Sequence, residues 1–166
     1  MHNETGSAPT VTNCDFTGNV AAQKAKYMPS GGGGMANRHS SPIVAHCTFT
    51  GNSVNPTEFL LDAIGGGMGN FGNSQPTVTD CSFDANEAHG TGASGGGMGN
   101  FETSFFYISN CTFSNNTSAV DGGGMANNYG SNPEVRDCTF FQNFADSFGG
   151  GMINNASSAT VEGCTF

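Results

Sequence analysis

The stretch GGGMGNFGNSQPTVTDCSFDAN, residues 65–86, contains two motifs that recur along the whole chain. The first is GGGMxN, and the second is CxFxxN, with a β-branched residue five positions before the Phe. Repetition at periods of about 20–50 residues is typical of solenoids and arrays, so these motifs decide the fold. The recurring side chains are Val11, Val44, Val78, Ile108, Val135 and Val161; Cys14, Cys47, Cys81, Cys111, Cys138 and Cys164; Phe16, Phe49, Phe83, Phe113, Phe140 and Phe166; Met35, Met68, Met98, Met125 and Met152; and Asn19, Asn52, Asn86, Asn116 and Asn143.

The spacing divides each repeat into a constant arm and a variable arm. From each GGGMxN Met to the next Phe the distance is 14 or 15 residues. Between the FxxN asparagine and the next glycine block, the intervening residues number 12, 12, 8, 5 and 5 along the chain. This pattern is that of one solenoid coil per repeat, with insertions along a single edge.

The composition of each repeat excludes a helical fold. Triple glycines, prolines and clusters of Ser, Asn and Thr break helices. Val, Phe and Met stand in short segments between turn residues, which predicts several strands of about 3–5 residues per repeat. We therefore predict an all-β parallel β-helix, with one coil per 27–34 residues and about five and a half coils. Equivalent side chains then form columns with a spacing of about 4.8 Å.

The pattern begins and stops inside a repeat. Met1 and Asn3 match the MxN of a preceding repeat, and Phe166 closes a CTF block. An uncapped coil exposes a sheet edge. We expect residues 1–166 to be a single β-helix segment, either a fragment of a longer array or a unit whose open coil ends stack on other copies or on adjacent repeats.

The paired motifs carry a family resemblance. The glycine block with Met and the FxxN motif resemble the GGA(I/L/V) and FxxN repeats of the chlamydial polymorphic outer-membrane proteins. They are also similar to the right-handed β-helix repeats of large secreted or cell-surface bacterial and algal proteins. The resemblance covers nearly the whole chain and implies a right-handed, single-stranded parallel β-helix outside the cell, often in adhesion. This sequence has Gly then Met where the family usually has Ala then an aliphatic residue, and the resemblance carries over no catalytic residues.

Charge limits the class of partner. Charged residues make up 10% of the chain, and the formal net charge is -9. A protein that binds phosphates needs the opposite sign, so we expect no nucleic-acid partner and no anionic membrane surface. No apolar run approaches the roughly 20 residues that span a bilayer, so we expect no membrane insertion by this segment.

The six cysteines occupy one slot per repeat and leave three interpretations open. They lack the CxxC pairs of a zinc site. A column of buried thiols is the first interpretation, vertical disulfides between coils are the second, and metal binding is the third. The Met column is expected to be core packing rather than a copper site. We predict no cofactor.

The insertions are the expected place for specific contacts, since loops on a rigid scaffold can vary freely. Residues 20–31 and 53–64 contain the candidate contact residues Lys24, Lys26, Tyr27, Phe59, Leu60 and Leu61. The alternative is that the apolar residues among them fold back over the solenoid. A cell-surface protein or a glycan is the expected partner, beside other copies of the chain.

These observations predict a non-catalytic, extracellular structural or adhesive segment of a surface or filament-forming protein. One alternative is a carbohydrate-binding or polysaccharide-cleaving β-helix, which needs clustered acids and a base on one face. Arg38 and Arg136 are expected on different faces. A third candidate is an ice-binding solenoid, suggested by the row Asp15, Thr48, Ser82, Thr112, Thr139 and Thr165, although its neighbouring columns are irregular.

Overall fold

The computed structural model describes residues 1–22, 30–55, 62–102 and 105–166. Within these ranges the regular structure consists of 24 strands of two to four residues, paired in parallel. Each strand pairs with its equivalent one repeat earlier or later, so successive layers of one sheet come from successive repeats. The predicted all-β parallel solenoid is therefore confirmed. No part of the described chain forms an apolar helix long enough to cross a bilayer.

The GGGMxN motifs form a six-stranded sheet, here called the Met sheet. Met68 is in register with Met35 on one side and with Met98 on the other. Met and Asn point into the core, while the residue between them and the fourth residue of each strand face outward. The strands are His2–Asn3, Met35–Arg38, Met68–Phe71, Met98–Phe101, Met125–Asn128 and Met152–Asn155.

Two further sheets carry the other large apolar columns. The Val sheet consists of Thr10–Thr12, Ile43–Ala45, Thr77–Thr79, Tyr107–Ser109, Glu134–Arg136 and Thr160–Glu162. The Phe sheet consists of Asp15–Thr17, Thr48–Thr50, Ser82–Asp84, Thr112–Ser114 and Thr139–Phe141. In both sheets the central residue of each strand points inward, so that strand alternation places the polar neighbours outside.

The Phe rings form a continuous stack inside the solenoid. Ring centroids in consecutive coils lie 4.6 to 4.8 Å apart, and the ring planes differ by 2° to 4°. This separation equals the spacing of hydrogen-bonded strands. Burial of one such side chain contributes about 1.5–3 kcal/mol. The stack spans Phe16, Phe49, Phe83, Phe113, Phe140 and Phe166.

Beyond the FxxN asparagine, the chain forms a short fourth sheet and then doubles back. The fourth sheet consists of Val20–Ala21, Ser53–Val54, Glu87–Ala88, Thr117–Ser118 and Phe144–Ala145. The returning segment forms a fifth column, in which Ser30–Gly31 pairs with Ala63–Ile64 and isolated bridges continue through Ser94, Asp121 and Phe148.

The fifth column lies against the outer face of the Met sheet. A Cβ atom built on Gly69 would lie 2.6 Å from the Ile64 carbonyl oxygen, and one built on Gly99 would lie 2.5 Å from Cγ2 of Ile64. Small residues are therefore required at these outward positions of the Met strands. The glycines of the GGGM block make the reversal: Gly65 has φ +71°, a backbone conformation that favours glycine.

A second apolar cluster lies between the fourth sheet and the returning segment. Val54, Ala63, Ala88 and Ala93 are buried in it, and Ala21, Ala119 and Val120 pack against it. The large core of Val, Phe, Met and Cys columns is separate from this cluster. The insertions thus begin and end on a core of their own, which fixes their ends against the solenoid.

Candidate functional site

The FxxN asparagines form a hydrogen-bonded ladder along the core. Asn86 Nδ2 donates to Asn116 Oδ1 at 2.9 Å and to the Phe49 carbonyl at 2.8 Å. Its Oδ1 accepts from the backbone N–H and from Nδ2 of Asn52, both at 3.0 Å. Both donor hydrogens and both acceptor positions of the Asn86 side-chain amide are therefore used. A polar side chain at 0% exposure needs such partners, because no water reaches it.

A second ladder runs through the Met sheet. Asn37 Nδ2 donates to Asn70 Oδ1 at 2.8 Å, and Asn70 donates to Asn100 in the same way at 2.8 Å. In both ladders the Nδ2 of each asparagine donates to the Oδ1 of its equivalent in the next coil, so the amide dipoles are aligned along the axis. These amides hold neighbouring coils in register. Their hydrogen-bonding groups are used by one another and are not available to a ligand. The second ladder contains Asn3, Asn37, Asn70, Asn100, Asn127 and Asn154.

The cysteine column consists of six free thiols, four of which are buried. The Cys47 backbone N–H donates to Cys81 Sγ at 3.4 Å, and the Cys81 thiol donates to the Thr79 carbonyl at 3.1 Å. Burial raises the pKa of the Cys47 thiol. Hydrogen bonds with Cys138 and Cys81, together with burial, raise the pKa of Cys111. Hydrogen bonds with Cys111 lower the pKa of Cys81 and of Cys138, so it is the burial of these thiols, rather than protonation alone, that limits their reactivity.

These environments predict unequal thiol reactivity. In the folded protein, Cys14 is exposed and should react with a chromogenic disulfide reagent at the rate of a free thiol, whereas the buried thiols should react only after unfolding. Cys164 is half-buried and should react at an intermediate rate. The Cys14→Ser variant should abolish the fast phase. A fast phase that survives this substitution, or that includes the buried thiols, would contradict the packing of the column.

On the outward faces of the Val and Phe sheets, polar side chains form hydrogen bonds and ion pairs with one another. Thr48 Oγ1 donates to Asp15 Oδ1 at 2.6 Å, which joins two members of the row after cysteine. Arg136, in the Val sheet, forms ion pairs with Glu134 and Glu162. Arg38, in the Met sheet, lies with its guanidinium carbon 5.0 Å from the centre of the Phe71 ring. The two arginines thus lie on different sheets, and each faces a partner within the protein.

A concave site lies between the fifth column and the outward side of the Met strands. We call it the Tyr129 cleft, and its volume is about 140 Å³. The Phe101 and Tyr129 rings meet there with centroids 4.9 Å apart and planes tilted by 60°. The lining residues are Asp62, Ile64, Gly92, Ser94, Phe101, Val120, Asp121, Asn128, Tyr129 and Asn155.

Two carboxylates line the Tyr129 cleft. Burial raises the pKa of Asp62 above its usual value, which reflects its apolar surroundings. Asp121 belongs to the fifth column, where it bridges Ser94 and Phe148. In the described part of the chain, no group of three or more His, Cys, Asp or Glu side chains is arranged to hold a metal ion. The arrangement therefore combines aromatic faces, amides and negative charge.

The structure separates the candidates taken from the sequence into two groups. The Val, Cys, Phe, Met and Asn columns lie inside the solenoid in consecutive layers. The candidate contact residues Lys24, Lys26, Tyr27, Phe59, Leu60 and Leu61 lie outside the described residues. Sequence reasoning missed the Tyr129 cleft. The available signal was the position three residues after the GGGMxN methionine, which holds Phe71 and Phe101 in consecutive repeats, with Tyr129 one place further along.

Comparison with known proteins gives one family. The sequence model of the family described as "Right handed beta helix region" matches residues 2–166. No curated protein and no solved structure shows significant similarity to the chain.

Proposed function

Because this chain belongs to the right-handed β-helix family, we propose that it is a non-catalytic structural and adhesive segment of an extracellular, surface or filament-forming protein. The observation that carries the proposal is the continuity of the interior columns through every coil. Phe49, Phe83 and Phe113 stack without interruption, and the buried asparagines bond to one another. The interior thus supports a rigid rod, and variation is confined to the insertions and outward faces.

The repeat motifs support display at the cell surface. The glycine block with Met and the FxxN motif follow the pattern of the polymorphic outer-membrane protein type, for which the expected role is adhesion. A low content of charged side chains and a net charge of -9 favour a solvated surface over phosphate binding. A cell-surface protein or glycan is the proposed partner, and other copies of the chain are the proposed partners in a filament.

The non-catalytic role needs separate support, since polysaccharide-cleaving enzymes also use this fold. Arg136 is engaged by Glu134 and Glu162, and Arg38 lies over Phe71. Arg38 lies beside an aromatic ring, and the two glutamates beside Arg136 are paired with its guanidinium, so they do not form the separate acid and base that cleavage requires. These contacts support a scaffold rather than an active site.

Surface labelling tests the proposal directly. Antibodies against this segment should label intact native cells before permeabilisation, and beads coated with the purified segment should adhere to sister or host cells more than albumin-coated beads. Incubation with acidic polysaccharides should release no reducing or unsaturated ends. Labelling that appears only after permeabilisation, or steady release of cleaved ends, would overturn the proposal.

A further inference from the structure

The Asp121 side chain carries a buried oxygen atom that lacks a hydrogen-bond partner. Within the described residues, Asp121 Oδ1 and the Ser40 hydroxyl are the two buried side-chain N or O atoms that lack a hydrogen-bond partner. A buried carboxylate oxygen without a donor is unfavourable, because the lost hydration is not replaced. Asp121 lines the Tyr129 cleft, so a cation that enters the cleft can offset the negative charge of this carboxylate.

Tyr129 supplies an exposed aromatic face at the same cleft. Its side chain is 57% exposed, and its backbone has φ +54°. The equivalent corner, four residues after each GGGMxN methionine, has positive φ and is occupied in the other coils by His39, Gly72, Glu102 and Ala156, so the conformation belongs to the fold and only the side chain varies. The face of an aromatic ring carries negative potential and attracts cations. The corner thus holds an aromatic ring where glycine would satisfy the fold.

Size and charge narrow the class of ligand. The cleft volume of about 140 Å³ is below the roughly 300–1,000 Å³ of sites for drug-sized molecules, so it fits one functional group rather than a sugar chain. Asp62 and Asp121 make the lining acidic, and the whole chain carries a net charge of -9. An anionic ligand is therefore disfavoured, and a cation is favoured.

We propose that the Tyr129 cleft binds an organic cation, a guanidinium or alkylammonium group, that pairs with the Asp121 carboxylate and lies against the Tyr129 ring. The protein contains an internal precedent in the same outward column of the Met sheet. There the Arg38 guanidinium lies 5.0 Å from the centre of the Phe71 ring. Phe101, one layer further, has Tyr129 as its aromatic neighbour.

Titration with matched cations and neutral analogues tests the proposal. The probes are butylguanidinium, butylammonium and N-acetyl-arginine methylamide, with butylurea and N-acetyl-citrulline methylamide as neutral counterparts. Binding is followed by isothermal calorimetry and by shifts of the Tyr129 ring resonances. Each cation should bind at least about tenfold more tightly than its neutral counterpart, the ratio expected for a combined charge and cation–π contact. If N-acetyl-arginine methylamide binds more tightly than butylammonium, the source of the cation is a protein side chain. If butylammonium binds at least as tightly as N-acetyl-arginine methylamide, the source is a free amine.

Three variants separate binding from folding. Asp121→Asn keeps the shape of the side chain and should weaken cation binding about tenfold. Tyr129→Gly should weaken it similarly while leaving the unfolding midpoint unchanged or higher, because glycine suits the left-handed corner. Asp146→Asn removes an exposed charge outside the cleft and should change neither property. Equal binding of cations and neutral analogues, no saturable binding, or competition by calcium at the same site would overturn the proposal.

Discussion

The Gly96→Ala variant is expected to lose the native fold. A Cβ atom on Gly96 would lie 2.4 Å from the Thr117 carbonyl oxygen, 2.6 Å from the Gly123 carbonyl oxygen and 2.6 Å from the Thr117 nitrogen. All three are backbone atoms of the next coil, so no side-chain rotation can relieve the contact. Separation of the coils would break the hydrogen bonds and the Phe stack together. We expect a loss of more than about 4–5 kcal/mol in the free energy of unfolding, measured by urea denaturation with circular dichroism.

Gly51→Ala is the matched control for this substitution. Gly51 has positive φ, at +60°, which Gly96 does not, and no atom lies within 4 Å of the Gly51 Cβ position. Gly51→Ala therefore strains the backbone without a steric clash, and the expected cost is about 1 kcal/mol. If Gly96→Ala cost no more than Gly51→Ala, the coils would not approach each other as closely as the structure shows.

The Asn86→Ala variant is expected to lose about 3–6 kcal/mol, because several buried groups lose their partners at 1–3 kcal/mol each. The Phe49 carbonyl, the Asn52 backbone N–H and the Asn116 side-chain oxygen are all bonded to Asn86. Water cannot replace these bonds in a core at 0% exposure. The change should lower the urea midpoint of unfolding and speed amide exchange at Asn52.

Asn55→Ala is the surface control in the preceding repeat, where the side chain is exposed. We expect a change within about 0.5 kcal/mol. If Asn86→Ala were as mild as Asn55→Ala, the ladder would have no role in stability, and the recurrence of Asn at this slot would need another explanation.

The columns could be predicted from the sequence because they depend only on the repeat. The Phe at 83 and its equivalents are large and occur once per repeat, and those that follow a GGGMxN methionine lie 14 or 15 residues after it, so a parallel solenoid must place them directly over one another. The same reasoning predicted a column of asparagine side chains. It could not predict which way the amides point, because that depends on the carbonyl of Phe49 and its equivalents lying within reach.

The second apolar cluster and the Tyr129 cleft could not be predicted in the same way. Ala21, Val54 and Ala88 stand two residues after the FxxN asparagine, but they are small and resemble loop residues. Ser94 and Asp121 each stand directly before a GGGM block, so the sequence aligns them. A serine and an aspartate share no property that would mark a column, however. The column becomes evident only in the structure, where the returning segments pair with one another over the Met sheet.

A crystal structure at a resolution that fixes the ring planes tests the central claim most directly. The account requires that equivalent residues of successive repeats stack in successive layers. It predicts centroid separations of 4.7 Å between the rings of Phe49 and Phe83 and between those of Phe83 and Phe113, with planes within 4°. Rings that lie in non-adjacent layers, or that point away from a shared interior, would contradict it.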